Sequence, residues 1–139
     1  MKLDKPEKYP WNPPKSLEEI DISDIRGFPQ IDSKIKNLVK SLRSIGLITM
    51  GSCEGHLNDE RRYSFPWVTC YGLGEYRDMY DLLLVYNHSR PMHLRWTINR
   101  IALQPVVPAF NKEGLRKLQD SANDLAKFLF EKYYGPDGI

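Results

Sequence analysis

The chain lacks most of the features that advertise a function. Its 139 residues include only two cysteines and three histidines, and 20 Lys and Arg nearly balance 18 Asp and Glu for a net charge of +2. Two cysteines are too few for a disulfide-stapled scaffold, so free thiols are expected at Cys53 and Cys70. A charge this small supplies no overall field for nucleic acid or an anionic membrane surface. No apolar run approaches the roughly 18–20 residues that span a bilayer, and the start Met-Lys-Leu-Asp-Lys-Pro has no apolar core of a secretory signal. These absences predict a cytoplasmic protein with no membrane partner. Internal repeats and low-complexity runs are missing too. What remains, at 41% hydrophobic and 27% charged residues, is ordinary for one folded domain with its own core.

Prolines at 6, 10, 13, 14 and 29, with Tyr9, Trp11 and Phe28 between them, predict an extended arm over 1–30 that packs on the domain surface. Ser16-Leu17-Glu18-Glu19 is suited to a single helical turn within it. A non-catalytic role for the arm, in homodimerisation, is open at this level. The domain proper is expected over 31–135. From Asp32, the residues Ile35, Leu38, Val39, Leu42 and Ile45 recur at helical spacing, and Gly46 is placed to end that helix in a left-handed cap. A strand over 47–52 follows, then a polar loop over 57–64, a strand over 65–71 and a helix over 76–87. Alternation of Met92, Leu94, Trp96 and Ile98 with His93, Arg95, Thr97 and Asn99 predicts a half-buried strand over 92–99. The phase flips near Arg100, which calls for a bulge or turn. Asn111 can cap a last helix whose stripe is Leu115, Leu118, Ala122, Leu125, Ala126, Leu129 and Tyr133. Short connections favour antiparallel pairing, so the expected fold is α+β: a two-layer sandwich, mostly antiparallel, with helices on one sheet face.

Chemistry concentrates in Gly51-Ser52-Cys53-Glu54-Gly55-His56, where a thiol, a carboxylate and an imidazole follow a strand between two glycines. Three readings compete. Cys53 and His56 have the C-x-x-H spacing of two zinc ligands, with a third drawn from Cys70, His88, His93, Asp59 or Glu60; this would make a metal-dependent hydrolase. Gly51-Ser52-Cys53-Glu54-Gly55 also has the form of a nucleophile elbow, but no helical pattern follows it. The third reading is a ligand-binding turn in which Gly55 allows close approach of a substrate or anion to backbone N–H groups. There Cys53, Glu54 and His56 form the reactive set, while Arg61, Arg62 and Arg95 meet phosphate. Trp67 and His93 would join from neighbouring strands, on a sheet face suited to stacking a base. Against all three stands the plain alternative that Cys53 is a small core residue and His56 a satisfied histidine.

The stretch 31–56 resembles small uncharacterised prokaryotic proteins carrying Ser-Cys-Glu-Gly-His after a helix–strand unit, a likeness that implies no established function. More distantly it is similar to the tRNA wybutosine-synthesis methyltransferase family, in which Ser-Ser-Cys-Ser-Gly-Arg follows a helix and strand. Ser52, Cys53 and Gly55 match that motif, and Trp67-Val68 fits the family's Trp-rich second strand. Glu54 and His56 depart from it. The resemblance implies an S-adenosylmethionine-dependent modification of tRNA, with a nucleotide or RNA as partner. The leading expectation is therefore a ligand- or substrate-binding domain, with nucleotide or RNA modification as its activity. Zinc or S-adenosylmethionine is the cofactor these readings would use.

Overall fold

The structure, a computed structural model, describes residues 14–25, 30–57 and 64–134. Most of the proline-rich arm, and Asp59, Glu60, Arg61 and Arg62, therefore lie outside the described residues. In chain order the elements are α1 (Lys36–Ser44), β1 (Thr49–Cys53), β2 (Trp67–Cys70), α2 (Arg77–Asn87), β3 (Trp96–Asn99), β4 (Ala102–Pro105) and α3 (Lys112–Tyr134). Single 3₁₀ turns occur at Leu17–Glu19, Leu73–Glu75 and Met92–Leu94.

The four strands make one antiparallel sheet in the order β1-β2-β4-β3, so β1 and β3 are its edges. Cross-strand partners share a face. One row runs Ser52–Val68–Leu103–Ile98, and Val68 and Leu103 in it are fully buried under the helices. The next row, Gly51–Thr69–Ala102–Asn99, points the other way, with Thr97 and Gln104 beside it. The expected division into an apolar, helix-covered side and a polar side is thus present. The fold is the α+β sandwich that the pattern predicts.

Periodicity places the helices because burial selects it. Leu38, Val39 and Leu42 of α1 meet Leu118, Ala122, Leu125, Ala126 and Leu129 of α3 in one core, each leucine contributing about 1.5–3 kcal/mol. Ala122 and Ala126 keep that helix pair close, and Ser41 Oγ donates to the Ala126 carbonyl at 2.8 Å across the contact. Ile20 and Ile22, from the described part of the arm, are buried in the same core. Gly46 closes α1 at φ 93°, as its position predicts, and the Asn111 carboxamide accepts the Gly114 N–H at 2.7 Å to cap α3.

β1 and β2 are Thr49–Cys53 and Trp67–Cys70 where strands over 47–52 and 65–71 are expected, and two further boundaries differ for identifiable reasons. α1 begins at Lys36 rather than Asp32, because Asp32 opens a preceding turn in which the Ile35 N–H donates to the Asp32 carbonyl at 3.2 Å. The expected strand over 92–99 is real only from Trp96. Before it, the Leu94 and Arg95 N–H groups donate back to Pro91 and Met92, at 2.9 and 3.2 Å, and wind 92–94 into a 3₁₀ turn. The phase change at Arg100 is a tight turn between β3 and β4 with Arg100 at φ 59°.

Candidate metal centre

β1 ends on Cys53, and the chain then turns through Glu54, Gly55 and His56 over the start of α1 and the flank of α3. Gly55 has φ +91°, and a Cβ there would lie 2.7 Å from Leu115 Cδ1 and 2.8 Å from the Phe65 carbonyl carbon. Only glycine lets the turn pass between these two neighbours. The Gln119 side chain of α3 donates to the Glu54 carbonyl at 3.0 Å and ties the turn to the helix.

The turn is laced to the segment before α1 by two carboxylates. Asp32 Oδ2 accepts the Glu54 N–H at 3.1 Å, and Glu54 Oε1 accepts the Lys34 N–H at 3.2 Å. As a result Asp32 stands beside Cys53 and His56. One ligand atom from each of the three, a carboxylate oxygen, the thiol sulfur and an imidazole nitrogen, lies within 4.8 Å of the other two. Asp32 Oδ2 and His56 Nε2 are 3.7 Å apart. Cys53 is buried, whereas the other two are partly exposed. The Gly55 N–H donates to Cys53 Sγ at 3.4 Å.

The structure thus brings Cys53 and His56 together and sets beside them Asp32, a residue outside the Gly51–His56 motif. Asp32 reads in the sequence as a helix opener, where its carboxylate would cap helix N–H groups. α1 has no side-chain cap, and the carboxylate turns to Glu54 and His56 instead. Of the third ligands expected from elsewhere, Cys70 is a core residue and His88 and His93 are not in the group, while Asp59 and Glu60 lie outside the described residues. Burial pushes the Cys70 thiol up to about 12, which marks it as inert. Neither cysteine forms a disulfide.

The other expected site residues divide. Ser52 lines a cavity of about 360 Å³ beside β1, together with Ile25, Gln30, Val39 and Thr49. Trp67 is the cross-strand partner of Cys53, on the face opposite the core row. His93 and Arg95 precede β3, the opposite edge strand of the sheet from β1, and His93 lines a cavity with Glu113, Gly114 and Leu118 of α3. The Arg95 guanidinium donates to the Arg90 carbonyl at 2.8 Å. His93 is not in the group that Asp32, Cys53 and His56 form.

No family model, curated protein or solved structure matches the chain.

Proposed function

We propose that Asp32, Cys53 and His56 hold a divalent cation of the zinc class, and that the domain is a metal-dependent hydrolase. The observation that carries this reading is the convergence of three different donor atoms on one point. A tetrahedral ion with bonds of about 2.0–2.3 Å separates its ligand atoms by roughly 3.3–3.8 Å. The 3.7 Å between Asp32 Oδ2 and His56 Nε2 is long for a hydrogen bond and slightly wider than the roughly 3.3–3.5 Å oxygen–nitrogen edge of such an ion, so a small side-chain movement would close the set. A nucleophilic Cys–His–Asp relay needs a different shape. It uses both ring nitrogens, so sulfur and carboxylate fall on opposite sides of the imidazole, on the order of 7 Å apart. A sulfur and an oxygen within 4.8 Å of each other do not suit that arrangement.

Sulfur, imidazole nitrogen and carboxylate oxygen together favour zinc over the harder magnesium and calcium. Three protein ligands leave a fourth position for water, the pattern of catalytic rather than structural zinc. Bound there, the ion lowers the pKa of its water to about 7 and polarises a carbonyl or phosphoryl oxygen. The surrounding residues set up the ligands. The Glu54 N–H orients Asp32, the Gly55 N–H faces the sulfur, and Gln119 fixes the turn.

Elemental analysis of the purified protein tests the reading, with one zinc per chain expected. Cobalt exchanged into the site should show thiolate-to-metal charge-transfer absorption. Asp32→Ala, Cys53→Ser and His56→Ala should each abolish stoichiometric binding while leaving the circular dichroism spectrum intact. Absence of metal, or binding indifferent to all three substitutions, rejects the proposal. Titration with S-adenosylmethionine and with nucleotides addresses the group-transfer reading: stabilisation by either, without metal, would put that reading in its place.

A further inference from the structure

We infer that the substrate of this centre is an extended peptide, laid along the free edge of β1 with one neutral side chain in the adjoining cavity. The inference rests on the metal-centre reading and names its substrate class. β1 is a terminal strand of the sheet, and among the described residues no strand lies beyond it. Half of the backbone N–H and C=O groups of an edge strand point away from its neighbour, and they pair with a strand-like backbone of matching spacing. The residues beside that edge are unusually apolar for a surface: Ile48 is 68% exposed and Met50 50%.

The cavity opens along the same strand. It is lined by Thr49, Met50, Gly51 and Ser52 of β1, by Val39 of α1, and by Ile25, Gln30 and Ile31. None of these side chains carries a charge. Among the described residues this lining offers a phosphate no cation, whereas an uncharged side chain of moderate size fits.

The position couples the cavity to the chemistry. Ser52 precedes the ligand Cys53, and Ile31 precedes the ligand Asp32. At about 3.3 Å per residue, a peptide running from Thr49 to Cys53 covers roughly 13 Å, so a side chain seated between them lies one to three residues from the metal. The reaction is hydrolysis of a peptide bond. The oxygen of one water bonds to the carbonyl carbon, the C–N bond breaks with its electron pair on nitrogen, and a proton from that water ends on the nitrogen.

The test uses the full chain loaded with zinc, its metal content measured first, and a mixture of short synthetic peptides read by mass spectrometry. Cleavage is expected one to three residues from a neutral side chain. Methylating the backbone nitrogens that flank the cut should slow it about tenfold for each hydrogen bond removed. Gln30→Glu, at the exposed rim, should shift selection toward peptides with a basic residue at the pocket position. Hydrogen exchange on adding an analogue of a cleaved peptide, its scissile carbonyl replaced by CH2 and its other backbone N–H groups kept, should protect amides of 50–53. Zinc bound at one per chain, with no peptide cleaved and no exchange protection, overturns this inference and leaves the metal centre standing. Absence of zinc binding overturns both.

Discussion

Asp32 and Glu54, 22 residues apart, hold each other's segments: the Asp32 carboxylate accepts the Glu54 N–H, and the Glu54 carboxylate accepts the N–H of Lys34, two residues past Asp32. The pair fixes the carboxylate that would complete the metal centre. Glu54 is then a positioning residue, its side chain acting through Asp32. Glu54→Ala should lower zinc affinity by about 10–100-fold, the usual cost of losing a group that orients a ligand. Folding stability should change by no more than about 1 kcal/mol, since its bond to Lys34 is exposed. Competition titration against a chromophoric chelator, set beside urea unfolding of the metal-free protein, separates the two effects. Equal loss in both would make Glu54 a merely structural residue.

Gly55→Ala should be far more damaging to the fold than its size suggests. The new methyl group meets Leu115 Cδ1 at 2.7 Å and the Phe65 backbone at 2.8 Å, on a residue already at φ +91°. The leucine can rotate away, but the backbone cannot. A loss of about 2–3 kcal/mol is expected from the strained φ and the overpacking together. Adding Leu115→Ala should fail to restore it, because the clash with Phe65 remains. Urea midpoints of the single and double variants decide this, and full rescue would show that the leucine contact alone matters.

Much of this architecture can be read from the sequence because burial leaves a periodic trace. Leu38, Val39 and Leu42, and Leu118 through Tyr133, recur at helical spacing because each is buried against the same core. The site is only half legible. Cys53 and His56 are neighbours in sequence, so their spacing announces them, whereas Asp32 reaches them through a tertiary contact that no local pattern records. The strand over 92–99 misleads for a related reason. Its alternation continues back through Met92, but Met92 is 54% exposed, so the apolar residue there reports no buried face. Backbone hydrogen bonds following Pro91, rather than side-chain pattern, decide the 3₁₀ turn.

Arg100→Gly should stabilise the domain. Arg100 sits at φ 59° in the two-residue turn between β3 and β4, a conformation that costs an L-residue about 1–2 kcal/mol. Glycine removes that cost and adds roughly 0.5–1 kcal/mol of unfolded-chain entropy. A net gain of about 0.5 kcal/mol is expected, visible as a higher thermal midpoint with no change in metal content. A lower midpoint would mean that the arginine side chain makes a contribution larger than its backbone strain.

Alkaline pH should weaken the fold through Cys70. Burial lifts its thiol from 9.0 to about 12, so the folded protein keeps the proton after the unfolded chain has lost it. The stability this represents is fully present below pH 9.0 and is lost progressively as pH rises toward 12. One such group gives a slope of up to about 1.4 kcal/mol per pH unit within that window. Tyr86, whose phenol is raised chiefly by burial, acts in the same direction. Urea unfolding followed from neutral pH to about pH 11 should therefore show a steeper decline for the native chain than for Cys70→Ala, although the variant starts lower for its lost packing. Parallel curves would mean that the folded thiol ionises as readily as the unfolded one, and the buried environment assigned to Cys70 would then be wrong.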